Sequence, residues 1–139
     1  MTRRLKVNSK LCTLCGLCTL VCAERQTGTS NLNLGAIRVL SHLPVAYKTN
    51  INYCLQCNQA YCIDACPRNA LYRDSKDVVH LNKETCDRCN NQFLCVKACK
   101  HNGIFTMEGL SYPLKCDVCN NEMPRCVAIC PVKSITLVE

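Results

Sequence analysis

The stretch "CTLCGLCTLVC" places Cys12, Cys15, Cys18 and Cys22 within eleven residues, at gaps of two, two and three. Thiols this dense serve disulfide bridging, zinc binding or iron–sulfur ligation. Three more quartets follow: Cys54, Cys57, Cys62 and Cys66; Cys86, Cys89, Cys95 and Cys99; Cys116, Cys119, Cys126 and Cys130. Each opens C-x2-C and closes C-x3-C, while the middle gap runs from two to four, five and six residues. All 16 cysteines of the chain are used.

Disulfides fit this grammar poorly, because a two-residue gap repeated in every quartet is a tight one to bridge. The opening "MTRRLKVNSKLC" has basic residues, including the pair Arg3 and Arg4, but no apolar run of a secretory or twin-arginine signal. The expected location is therefore cytoplasmic, where thiols stay reduced. Zinc sites also use C-x2-C pairs, but usually as two pairs about a dozen or more residues apart. A zinc-stabilised interaction module stands as the alternative of another class. Here the third thiol follows within a few residues, and Pro67 and Pro131 come directly after two closing thiols, in "CIDACPRNA" and "CVAICPVKS". That is the C-x2-C-x2-C-x3-C-P run of bacterial ferredoxins.

A [4Fe-4S] cube needs four thiolates aimed at its iron corners. Three closely spaced cysteines on a tight loop wrap one side, and the fourth, three residues on along a helical turn, points away to a neighbouring cube. Gly16 suits a loop whose backbone approaches a cluster closely. Sixteen thiols at four per cube give four [4Fe-4S] clusters in two crosswise pairs.

The elements around the quartets suggest the pairing. "LKVN" before the first quartet and "SITLVE" after the fourth both read as short strands, so the two chain ends are expected side by side, joining quartets one and four. "ALYRDSKDVVHLN" reads as a hairpin around a polar turn at Asp74 to Asp77, linking quartets two and three. The expected ligand sets are Cys12, Cys15, Cys18 and Cys130; Cys116, Cys119, Cys126 and Cys22; Cys54, Cys57, Cys62 and Cys99; and Cys86, Cys89, Cys95 and Cys66. The expected fold class is α+β: two ferredoxin-like dicluster lobes, with small β-hairpins and short helices around the four clusters. Residues 1–22 with 100–139 form the outer lobe, and 54–99 the inner one. Residues 23–53 connect them, with "AIRVL" and "VAYKT" as strands around Pro44, covering clusters and offering a partner contact. "GIFTMEGLSYPLK" reads as a further hairpin punctuated by Gly103 and Gly109. No segment reaches the roughly eighteen apolar residues of a membrane span.

"INYCLQCNQAYCIDACPRNALYRDSKDVVHLNKETC" and "YPLKCDVCNNEMPRCVAICPVKSITLV" resemble the polyferredoxin electron-transfer subunits of large anaerobic oxidoreductases. The resemblance covers nearly the whole chain. It implies electron transfer beside a large catalytic subunit, foremost a tungsten or molybdenum aldehyde oxidoreductase. The alternatives are formate dehydrogenase, hydrogenase and carbon monoxide dehydrogenase systems. It also implies a further redox partner protein. The sequence departs from the pattern where Ala23 and Lys100, rather than proline, follow the closing thiols of quartets one and three.

The formal charge of +7 invites a nucleic-acid reading. Four cubes at about −2 each bring the loaded protein close to neutral, so the basic residues read as compensation for cluster charge and as docking groups, not as a nucleic-acid surface. No catalytic residue is expected. His42, His80 and His101 are single and read as surface or loop residues; Tyr47, Tyr53, Tyr61, Tyr72 and Tyr112 read as packing against clusters. There is no P-loop or dinucleotide glycine motif.

Overall fold

Leu5 and Val7 alternate with Arg4 and Lys6, a two-residue period that suits a strand with one covered face. In the computed structural model, which describes residues 3–41, 49–86, 89 and 92–139, strand β1 (Arg4–Val7) pairs antiparallel with β8 (Ile135–Val138). Leu5 stands opposite Leu137 and Val7 opposite Ile135, so the two ends of the chain form one ribbon. Three more two-strand ribbons follow: β2 (Arg38–Ser41) with β3 (Thr49–Asn52), β4 (Leu71–Arg73) with β5 (Val79–Leu81), and β6 (Ile104–Phe105) with β7 (Leu114–Lys115). The ribbons expected from "AIRVL", from the Asp74 to Asp77 turn and from "GIFTMEGLSYPLK" are all present. The expected strand "VAYKT" lies mostly outside the described residues, as do Pro44, His42 and Tyr47; Thr49 alone begins β3.

Helix α1 (Leu17–Thr27) carries Cys18 and Cys22 one turn apart, whereas α2 (Tyr61–Ala65), α3 (Leu94–Ala98) and α4 (Arg125–Ile129) each carry only the third cysteine of their quartet, Cys62, Cys95 and Cys126, and end before the closing one. The last three have only five residues each. Their closing cysteines already hold an extended backbone, with ψ of 114°, 112° and 113° at Cys66, Cys99 and Cys130. Pro67 and Pro131 enforce this at two of the sites, because proline disfavours helical backbone in the residue before it. Ala23 permits the helix to run on in quartet one, and α1 ends only at Gly28, whose left-handed backbone (φ 80°) lets its N–H bond the Glu24 carbonyl at 2.8 Å.

Helix α1 packs on α4, and α2 packs on α3. The first contact builds a small core of Leu5, Ile37 and Ile135 with the thiols of Cys18 and Cys126. The second gathers Leu71, Val79 and Ile104 with Cys95. Burying each aliphatic side chain contributes about 2 kcal/mol, and the cysteines fill space that larger residues occupy in an ordinary core.

Two glycines differ from their expected roles. At Gly16 the requirement is the left-handed backbone that starts α1 (φ 75°), since a Cβ there would meet only Leu32, at an ordinary 3.8 Å. Gly103 is not a turn residue: a Cβ would lie 2.7 Å from the Tyr53 carbonyl oxygen and 2.8 Å from Cys54 Cα. Its bare backbone lets the strand after quartet three press against the first cysteine of quartet two. Among the described residues, no helix is long and apolar enough to cross a membrane.

Candidate metal centres

A cavity of about 240 Å³ opens between α2, α3 and β6, and Cys54, Cys57, Cys62 and Cys99 stand in its wall. A narrower cavity of about 20 Å³ is walled by Cys12, Cys15, Cys18 and Cys130. Each is faced by three cysteines of one quartet and the closing cysteine of another. The remaining eight thiols gather in two groups. Cys22, Cys119 and Cys126 lie within electrostatic reach of one another, with Cys116 close to Cys22. Cys95 lies near Cys86 and Cys89, and Cys66 packs against the same core as Cys95.

The donor chemistry and spacing suit a multi-atom cluster. A single zinc ion draws its sulfur ligands to about 2.3 Å from one point. Among the described residues, no three histidine, cysteine, aspartate or glutamate side chains converge in that way. The walls of the larger cavity are mostly apolar apart from the thiols, which suits a cluster shielded from water.

Backbone N–H groups address the sulfurs in a repeated pattern. The closing cysteine of every quartet accepts one at 3.3 Å: Cys22 from Ala36, Cys66 from Ala70, Cys99 from Gly103 and Cys130 from Ser134. In three quartets the donor lies four residues on, delivered by a left-handed residue just before it, Asn69, Asn102 or Lys133. In the first, α1 occupies that position and the donor comes fourteen residues later, after the chain returns. The opening cysteines of two quartets are addressed similarly, Cys54 by Gln56 N–H and Cys116 by Val118 N–H, both at 3.4 Å. Here the second residue of the C-x2-C gap is left-handed, as at Leu14, Gln56 and Val118. Hydrogen bonds to cluster sulfurs are one of the levers that set reduction potential.

Burial pushes the thiols of Cys95 and Cys126 up to about 12, so both are protonated until a metal draws them out. At Cys130 burial also disfavours the thiolate, but the N–H groups of Ser134, Val132, Ile135 and Lys133 outweigh it and bring the thiol below its ordinary range.

Several polar residues around the sites carry no signal in the cysteine pattern. Arg25, in the last turn of α1, holds Asp117 of quartet four through two hydrogen bonds of 2.9 and 3.1 Å. Gln56, only 1% exposed, donates to the Cys116 carbonyl at 2.9 Å and accepts from Val79 N–H at 2.8 Å. The N–H donors did leave a trace: Ala36, Ala70, Gly103 and Ser134 are all small and buried.

His80 is not the surface residue the sequence suggested. It is buried in β5, with Nε2 2.7 Å from Asp74 Oδ2, because the polar turn folds its carboxylate back over the strand. His101 is exposed but stands at the wall of the larger cavity. Of the tyrosines, Tyr61 lines that cavity and Tyr53 packs beside Cys116 in the first core. Tyr72 instead stacks on His80, and Tyr112 lies under the Lys83 ammonium.

Cysteine quartets folded between short helices and two-strand ribbons, with backbone N–H groups turned on their sulfurs, define an iron–sulfur electron-transfer protein. The chain belongs to the 4Fe-4S dicluster domain family, whose profile matches residues 45–139 and so takes in quartets two to four. It is 33% identical over 122 residues to the NADH-dependent phenylglyoxylate dehydrogenase subunit beta of Aromatoleum evansii, an alignment covering 86% of this chain and 26% of the relative. It is 34% identical over 121 residues to the aliphatic sulfonate oxidoreductase polyferredoxin-like subunit of Pyrococcus furiosus, covering 86% of this chain and 66% of the relative. The chain thus spans from about a quarter to about two thirds of these relatives. Among solved structures, the fold is shared with a chain of the active site complex BamBC of benzoyl coenzyme A reductase in complex with benzoyl-CoA. The TM-score is 0.57 at 19% identity, with 99% of this chain and 79% of that one covered.

Proposed function

We propose that this chain holds four [4Fe-4S] clusters in two crosswise pairs and passes electrons along them between a large catalytic oxidoreductase subunit and a further redox partner. The observation that carries this reading is the composition of the two cavities. Three cysteines of quartet two meet Cys99 of quartet three, and three cysteines of quartet one meet Cys130 of quartet four. Extended to the remaining thiols, the same rule gives Cys116, Cys119 and Cys126 with Cys22, and Cys86, Cys89 and Cys95 with Cys66. Residues 1–22 with 100–139 then serve as the outer lobe and 54–99 as the inner one, joined by 23–53.

Each cluster supplies one-electron chemistry with little movement of its ligands. The chain's own work is to space the sites, keep water from the sulfurs and set potentials through burial and N–H donors. The catalytic partner is an oxidoreductase of anaerobic metabolism, foremost a tungsten or molybdenum aldehyde oxidoreductase, in a cytoplasmic assembly. The likeness to a polyferredoxin-like subunit of an aliphatic sulfonate oxidoreductase supports that class of partner.

Anaerobic purification with iron and acid-labile sulfide analysis tests the cluster count. The expected content is about sixteen irons and sixteen sulfides per chain. About eight of each, or stoichiometric zinc with little iron, refutes it. Mass spectrometry of the large subunit that co-purifies tests the partner, and a formate dehydrogenase, hydrogenase or carbon monoxide dehydrogenase subunit in its place replaces the aldehyde oxidoreductase assignment.

A further inference from the structure

Lys115 is 5% exposed, although lysine is almost never buried without a counter-charge. Its ammonium donates to the Val79 carbonyl at 2.7 Å and to the Cys116 carbonyl at 3.0 Å. An ammonium has three N–H groups. Among the described residues, the third has no acceptor and no carboxylate pairs with the charge. Lys115 also stands in the wall of the 240 Å³ cavity, which Cys57 and Cys62 line as well. An isolated cation in a dry wall is costly, and a group of opposite charge beside it offsets that cost. A [4Fe-4S] cube with four thiolates, formally about −2, is such a group.

We propose that Lys115 is the buried counter-ion of the cluster held in this cavity, raising its reduction potential above that of the same site without the charge. The proposal rests on the cluster assignment above. One electron arriving from a neighbouring cluster adds one negative charge to the cavity, and no proton need accompany it. A fixed positive charge in the wall stabilises that reduced state more than the oxidised one. Lys100 and His101 also line the cavity, but both are exposed, and Lys100 rests 4.4 Å over the Tyr61 ring; water screens the Lys100 charge as it does not screen that of Lys115.

The position of Lys115 also makes it part of the junction between the two pairs of quartets. It lies directly before Cys116, and the carbonyl it bonds is the one that Gln56 of quartet two also bonds. Gln56 and Lys115 between them occupy both the N–H and the carbonyl of Val79. The cysteine loops 54–57 and 116–119 are thereby fixed against one another through β5, with Cys54 in electrostatic reach of Cys116. The cation sits where an electron passes from one pair of clusters to the other.

The test compares loaded, anaerobically purified Lys115→Met, Lys115→Gln and Lys115→Arg with the unmodified protein, by iron content and redox-titrated electron paramagnetic resonance. Cys57→Ser identifies the signal of the cavity cluster. With full iron in every variant, the two neutral substitutions are expected to move that midpoint to more negative potential and leave the others in place, while Lys115→Arg stays close to the parent. An unmoved midpoint in the neutral variants overturns the proposal, as does an equal shift in Lys115→Arg, which marks a packing effect. Loss of that cluster's iron from both neutral variants also overturns it, since the residue then holds the site together instead of tuning it. Failure of the underlying assignment shows separately, as an iron count near eight or a zinc signal in the unmodified protein.

Discussion

Arg25 and Asp117 are 92 positions apart in the chain, and the guanidinium of one grips the carboxylate of the other through two hydrogen bonds of 2.9 and 3.1 Å. Arg25 closes the helix that carries Cys18 and Cys22, while Asp117 lies in the gap between Cys116 and Cys119. Both side chains are about three-quarters covered, so water competes weakly for the pair. The fork therefore clamps the first quartet onto the fourth. Arg25→Met is expected to cost about 2 kcal/mol, as for a lost charged hydrogen bond in partly buried surroundings. The check is a lower guanidinium midpoint for loss of visible iron–sulfur absorbance, with Arg25→Lys intermediate because an ammonium cannot reproduce the fork.

Gly103 and Gly109 separate two uses of glycine within one ribbon. At Gly109 the backbone is left-handed (φ 90°) and the space around it is open, so Gly109→Ala is expected to cost about 1 kcal/mol in conformational strain. At Gly103 the added methyl meets main-chain atoms within 2.9 Å that cannot swing aside. Gly103→Ala is expected to cost about 2–3 kcal/mol and to pull the N–H away from Cys99 Sγ. Iron analysis of the purified variants checks the contrast: Gly109→Ala retains the parent content, and Gly103→Ala loses iron.

Much of this architecture is legible in the sequence because the signals are local. The two-residue alternation around Leu5 and Ile135 marks the end strands, and two such strands at the chain ends read as partners. The polar turn at Asp74 to Asp77 marks its own hairpin. The roles of Gly16 and Gly103 were not legible. One depends on the sign of a backbone angle, and the other on a strand of the third quartet approaching Tyr53 and Cys54. Lys115 was hidden for a different reason. The basic residues read as a set as compensation for cluster charge, but nothing local marks which lysine is buried beside a quartet; Lys115 reaches the cavity wall through the fold, opposite Ile104 of the paired strand.

Asp74 ties the inner hairpin to the loop of quartet four. Burial works against its charge, yet its carboxylate accepts from the N–H groups of Val78 and Lys76, from Asn121 Nδ2 and from His80 Nε2, and these hold it far below the usual carboxylate range. A group with a depressed folded pKa contributes stability that is present above its unfolded value and lost as pH falls through the folded one. The unfolded value is about 3.9. Asp74→Asn is accordingly expected to cost about 2 kcal/mol at pH 7, with the Asp74 share of that cost shrinking below about pH 4. Guanidinium titrations of parent and variant between pH 7 and pH 3.5 check the sign; a penalty that grows as pH falls refutes this account.

In the proposed crosswise arrangement the opening stretch of the chain depends on its far end. Cys12, Cys15 and Cys18 share a cavity wall with Cys130, more than a hundred residues away, and the ribbon of β1 and β8 holds the two segments together. Cys130 is the thiol whose N–H donors bring it below its ordinary range, which suits it to remain a thiolate ligand at the rim. If it completes the cube of quartet one, Cys130→Ala and Cys12→Ala perturb the same cluster, and Cys116→Ala perturbs a different one. Redox-titrated electron paramagnetic resonance of the three variants reads this directly. The expected outcome is one signal changed in common by Cys12→Ala and Cys130→Ala and retained in Cys116→Ala. If Cys130→Ala instead removes the signal lost in Cys116→Ala and spares that of Cys12, each quartet holds its own cube, and the electron path has to be redrawn as four self-contained sites.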